Sequence, residues 1–302
     1  MAEPAAATPP PGPVASVRAM PGGGRRGKAL RLFLFRSAGG LGLLLVLAAI
    51  VGATFAPVLT PYDAITLDPP SRLQGPSAEH WLGTDQLGRD TFTRILYGGR
   101  VSLAVAGAAV VFALAVGGVL GVLAGYYRGW LDSVIMRFTD VLLSFPAVLL
   151  AIALIAFLGA GFNNLVLAIG IVYVGPFARV ARAAVLTVRE ELFVEASRAL
   201  GARDPRIVAL AVLPSAAGPL IVEVTLRLAY AILAEASLSF LGLGTQPPTP
   251  SWGMMVAEGR RFLALAPWAT VAPGLAIMFI VLGFNLLGDG LRDALDPRLK
   301  TR

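Results

Sequence analysis

Apolar residues in this chain gather into six long runs, at about 39–57, 101–125, 139–159, 164–184, 217–241 and 267–288. A helix needs about 20 predominantly apolar residues to cross the hydrocarbon core of a bilayer. The runs therefore predict an all-α membrane protein with six crossings. Polar connections divide the rest into a tail (1–28), a first span with its basic flank (29–58), a polar segment (59–100), a five-span core (101–288) and a final tail (289–302). Inside the core, one connection at about 185–216 is too charged to lie in lipid, since Arg189, Glu195, Arg198, Arg203, Asp204 and Arg206 fall within it.

Composition agrees with this pattern. Hydrophobic residues make up 56% of the chain and charged residues 14%, a balance that would leave a soluble domain with more apolar surface than it could bury. Arg25, Arg26, Lys28, Arg31 and Arg36 precede the first run as they would in a secretory leader. The run is too long for a signal core, and no small-x-small cleavage site follows, so it reads as a retained span.

Charge distribution gives an orientation. One side receives six basic residues from the N-terminal tail, two between spans two and three (Arg128, Arg137), six around the fourth-to-fifth connection and four at the C-terminus. The other receives four within 58–100 and two in 242–266, Arg260 and Arg261. Eighteen against six is a positive-inside bias that predicts cytoplasmic termini and a cytoplasmic 185–216 connection, with 59–100 and 242–266 outside.

The chemistry available is sparse. With no cysteine and one histidine, His80, which reads as a surface residue of the outer segment, most zinc, thiolate and acid–base arrangements are excluded. The basic residues are scattered and form no stripe interleaved with aromatics, which argues against nucleic acid as a partner. The tail from Met1 to about Gly24 is rich in Pro, Ala and Gly and is expected to be disordered. Gly22, Gly27 and Lys28 fit the skeleton of a phosphate-binding loop. Ala29 stands where Ser or Thr would ligate Mg²⁺, and no strand precedes it, so no nucleotide site is expected there.

Two features inside the spans carry information. Gly117, Gly121 and Gly125 recur every fourth residue and give a smooth stripe for close helix approach. Glu223, Arg227 and Glu235 fall in or near the fifth span, the first two at i, i+4 spacing where they can pair. They predict either a polar stripe along a water-filled path or a snorkelling pair near the cytoplasmic end.

The charged connection has its own local logic. Glu195, Ala196, Arg198, Ala199 and Ala202 favour helix, Gly201 permits a turn or a close backbone approach, and a second short helix is expected at about 205–212, ending at Pro214. Small residues on such a helix-turn-helix fit it to a partner's cleft.

Glu195, Ala196, Gly201, Leu213 and Pro214 stand at the spacing of the EAA loop of binding-protein-dependent ABC importers, with Ser197 at the third motif position and Ala211 where Ile is usual. G-T-D-Q-L-G-R-D (83–90), R-I-L-Y-G-G-R-V-S-L (94–103), E-A-S-L-S-F-L-G-L-G (235–244), P-S-W-G (250–253) and G-D-G-L-R-D-A-L-D-P-R-L (288–299) follow in order. Over about residues 30–300 the chain resembles the second permease subunit of dipeptide, oligopeptide and nickel importers. The resemblance implies a six-helix transmembrane domain of the type I ABC importer kind in a bacterial or archaeal cytoplasmic membrane. It implies a second, similar permease subunit, one or two ATPases that use ATP and Mg, and an extracytoplasmic solute-binding protein. No cofactor would be bound by this chain, which would not itself be an enzyme. Glu195, Ala196, Ser197, Arg198, Gly201, Leu213 and Pro214 would couple to the ATPase. Glu223, Arg227 and Glu235 are candidates for the path, and Pro247, Pro248 and Trp252 for binding-protein docking or, more plainly, a stiff interfacial hairpin. Peptide is the expected solute, with nickel complexes or other small solutes as the alternative. A proton-coupled secondary transporter is the competing class, for which only the fifth-span carboxylates would serve.

Overall fold

The computed structural model describes residues 38–295. The Pro/Ala/Gly-rich tail, the phosphate-loop look-alike at Gly22 to Lys28 and the end of the C-terminal tail lie outside the described residues.

Among the described residues the regular elements are helices and helical turns. The helices are α1 Ala38–Thr54, α2 Thr91–Tyr127, α3 Gly129–Ser144, α4 Ala147–Leu158, α5 Phe162–Val188, α6 Leu192–Ala199, α7 Asp204–Phe240, α8 Trp252–Gly259 and α9 Trp268–Leu295. By length and composition α2, α5, α7 and α9 can each cross a membrane, α3 and α4 pass the same test only as a bent pair, a broken span or a re-entrant loop, and α1 is a shorter apolar helix. All six apolar runs are thus helical.

Three boundaries differ from the sequence expectation. The third run, 139–159, is not one straight helix, because α3 and α4 meet at 92°. Pro146 has no N–H to continue the ladder and disfavours helical backbone at the residue before it, and Phe145 is extended at φ −90, ψ 139. At the start of α2 the helix reaches back to Thr91, where the Asp90 side chain accepts from the Thr93 amide at 2.7 Å. That bond satisfies one of the open N–H groups of the first turn. In α7 the chain does not stop at Pro214 as expected. Val208–Val212 widens into a π turn, and the helix continues as Leu213–Phe240. The wider turn relieves the clash of a proline ring with the carbonyl of the preceding turn.

The glycine stripe performs as expected. A Cβ at Gly117 or Gly121 would collide with the carbonyl oxygens of Val174 and Ala178, and one at Gly125 would lie 2.8 Å from that of Arg182. α2 and α5 therefore run parallel at near backbone contact, with α3 and α4 as the return between them. α9 closes the bundle against α1 and α7. A Cβ on Gly42 would lie 2.6 Å from the Gly283 oxygen, and one on Gly288 2.6 Å from Thr225 Oγ1. Val105, Ala109, Leu165, Ile169, Phe177 and Ile232 form the centre of the apolar core.

The chain reverses at two ends. One of them, a platform, gathers the 60–90 segment, the start of α2, α8 and the start of α9. The opposite end holds the last turns of α2 and α5, α6 and the first turns of α7.

Candidate functional site

The end opposite the platform holds the motif residues Glu195, Ala196, Ser197, Arg198, Gly201, Leu213 and Pro214. The first four lie on α6, and Gly201 closes that helix at φ +79, where its amide donates to the Arg198 carbonyl at 2.9 Å. No atom stands within 4 Å of a Cβ built on Gly201, so within this chain the glycine serves the left-handed turn and not a close approach. Behind α6, Val194 is buried with Ile207, Val212, Val185 and Tyr126. In front, Leu192 and Leu200 are 80% and 88% exposed, and Leu210, Leu213 and Pro214 also face outward. Glu195 is exposed and makes no ion pair among the described residues.

Tyr126, which no sequence motif singles out, ties this end together. Its hydroxyl donates to Asp204 Oδ1 at 2.7 Å, its carbonyl accepts from Arg189 Nη1, and the Arg198 guanidinium lies 5.3 Å from its ring centre. The Tyr126 hydroxyl beside it holds the Arg198 guanidinium above its ordinary pKa, with Asp204 acting in the same direction. A bulky aromatic directly after the glycine stripe was the available signal. The same helix that packs through its glycines thus ends in the residue on which α6 and α7 are fastened.

Midway along the bundle, an open groove of about 260 Å³ lies between α4, α5 and α7. Its wall includes Ala151, Val172, Tyr173, Arg227, Tyr230 and Ser237. Arg227 Nε donates to Glu223 Oε1 at 2.5 Å, the i, i+4 pair expected from the sequence. The guanidinium stands 5.5 Å from the Tyr173 ring centre and 5.7 Å from that of Tyr230. Glu235 is not part of this arrangement. It is 0% exposed, and its Oε1 accepts from Ser239 Oγ at 2.7 Å.

The platform is held by buried charge. Asp85 Oδ2 accepts from Arg89 Nε at 2.7 Å and from Arg94 Nη1 at 2.6 Å, while Glu258 Oε2 accepts from both arginines at 3.1 Å. Arg94 is only 2% exposed. Two acids against two bases leave the cluster neutral, the condition under which buried charge is tolerated. The platform also corrects two sequence expectations. His80 is not a surface residue: it is 7% exposed, with Nδ1 3.0 Å from Asp90 Oδ1 and its ring against Tyr62. Trp252 is not a docking residue on the surface either. It is 3% exposed and donates from Nε1 to the Ile95 carbonyl at 2.9 Å. Pro247 and Pro248 are exposed.

The fold defines a multi-pass helical membrane protein. A solved inward-facing structure of the MetNI methionine ABC transporter has the same fold, with a TM-score of 0.56 at 20% identity over 67% of this chain and 96% of that one. Residues 117–301 match the family described as binding-protein-dependent transport system inner membrane component, and the chain belongs to it. The dipeptide transport system permease protein of Alkalihalophilus pseudofirmus is 50% identical over 261 residues, 86% of each chain. The glutathione transport system permease protein of Pectobacterium atrosepticum is 48% identical over 259 residues, 85% of this chain and 86% of that one. The chain is accordingly a permease subunit and not the ATP-hydrolysing component.

Proposed function

We propose that this chain forms half of the translocation pathway of an ATP-driven importer for small peptides, in a bacterial or archaeal cytoplasmic membrane. A second, similar permease would complete the pathway, one or two separate ATPases would bind ATP and Mg and drive it, and an extracytoplasmic binding protein would deliver the solute. The observation that carries the reading is the end bearing the motif. α6 is locked from behind by Val194 and Tyr126, yet offers to the outside Leu192, Leu200 and Glu195, which has no ion pair among the described residues. A rigidly backed helix with an uncovered apolar face is suited to transmit motion from a docked partner.

The basic bias supports a cytoplasmic position for this end and both termini and an outer position for the platform, where Pro247 and Pro248 would offer a stiff surface to the binding protein. The relatives that transport dipeptide and glutathione favour a peptide over a nickel complex.

Gly201→Trp or Glu195→Lys is expected to abolish ATPase co-purification and uptake while the permease still inserts. Wild-type co-purification and uptake in both variants would remove α6 from the coupling role. Uptake that survives ATP depletion while a proton gradient persists would instead establish a secondary transporter.

A further inference from the structure

We infer that the Arg227 groove is a solute-contact site that recognises the free carboxylate of a passing peptide; this rests on the peptide-importer reading. Among the described residues, only Nε of the guanidinium is engaged, by Glu223, which leaves the Nη edge free on a residue that lines the groove. That edge presents paired N–H donors in the geometry a carboxylate accepts. Glu223 is buried and absent from the groove wall, so an anion reaching the groove meets the cation ahead of its counter-charge. The Tyr173 and Tyr230 rings both lie close to the guanidinium and give it a cation–π environment. The rest of the wall is largely apolar, with Ala147, Ala151 and Ala234 set among branched aliphatic residues such as Ile169 and Leu233, and offers side chains a surface without further charge.

The pairing also sets the strength of the contact. An unpaired arginine in a low-dielectric groove would hold an anion tightly, whereas a pathway must release what it binds. Glu223 neutralises part of the charge before the solute arrives. The site therefore selects for a carboxylate without trapping it.

The test uses the intact importer in proteoliposomes with its binding protein, supplied with di-, tri- and tetra-alanine and with their C-terminal amides. For each variant the ratio of carboxylate to amide uptake is taken, so that the binding protein's own preference cancels. Arg227→Gln is expected to lower that ratio about tenfold, the scale of a lost charge-assisted hydrogen bond. Arg227→Lys keeps the charge but not the fork, and should lower it roughly threefold. An equal fall for carboxylate and amide, or no fall in either, would overturn the site and leave the importer reading standing. Should the Gln variant fail to assemble, the Lys variant decides, and a wild-type ratio there overturns the proposal. Absence of ATP-driven uptake of these peptides by the wild-type complex would overturn the peptide reading and this site together.

Discussion

The platform and the α6 end solve opposite problems. At the platform, Arg89, Arg94, Asp85 and Glu258 pair with one another, Trp252 and His80 are buried, and the Trp268 indole donates to the Thr84 carbonyl at 3.1 Å. At the other end, α6 satisfies only its inner face and leaves leucines in solvent. One end pairs its charges within a single chain, and the other, in the proposed reading, is covered only by a partner. A protein that receives mechanical work at one end needs a stiff frame at the other, or the input would be spent on local deformation.

The sharpest way to break this contrast is at the platform. Arg94→Met would leave Asp85 and Glu258 facing one arginine in a buried site, and removal of one member of such a cluster destabilises by about 3–5 kcal/mol. Thermal unfolding of the solubilised complex should show a larger drop than Gly121→Leu, Gly201→Ala or Arg128→Gln produces, and a wild-type midpoint would mean the network is not what stiffens this end.

Next in size is the link between the ends. Gly121→Leu would force α2 away from α5 at the Ala178 carbonyl and shift Tyr126, the anchor of α6. Overpacking of this kind destabilises by about 1–3 kcal/mol. Since the strain is transmitted to the α6 end, the proposed ATPase coupling should weaken along with stability. Loss of stability with full coupling would separate the glycine stripe from the anchor.

These elements differ in how far they are legible in the sequence. The six apolar runs and the glycine stripe are legible because a span and a close helix contact are local patterns. The break at Pro146 is visible as Ser-Phe-Pro, but the length of the apolar run around it points to an unbroken span. The burial of Trp252 and His80 is not legible. A polar connecting segment reads as surface, and what buries it is a set of contacts between distant positions, such as Arg94 with Glu258 at 164 residues' separation. The same holds for the groove: Glu223 with Arg227 follows from helix periodicity, whereas Tyr173 arrives from another helix.

A smaller effect sharpens the role of the turn after α6. Gly201→Ala places a Cβ where there is open space but at φ +79, so the penalty is conformational and amounts to about 1 kcal/mol. Co-purification of the ATPase with this variant should fall modestly, and far less than with Gly201→Trp. If alanine were as damaging as tryptophan, backbone conformation alone would govern docking, and a tight cleft would not be needed.

The smallest effect is expected at the rim of the same end. Arg128 Nη2 donates to Glu190 Oε1 at 2.6 Å, but both side chains are about half exposed, at 47% and 60%. Solvent and salt screen such a pair, and exposed pairs contribute roughly 0–1 kcal/mol. Arg128 also holds a positive φ of 58 at the α2–α3 junction, which belongs to its backbone and would persist in Arg128→Gln. That variant should therefore unfold within about 0.5 kcal/mol of wild type and keep its ATPase. A large loss would show that the rim, and not the Tyr126 anchor, holds this end in shape, and the contrast between a finished platform and an unfinished docking face would have to be redrawn around the α2–α3 corner.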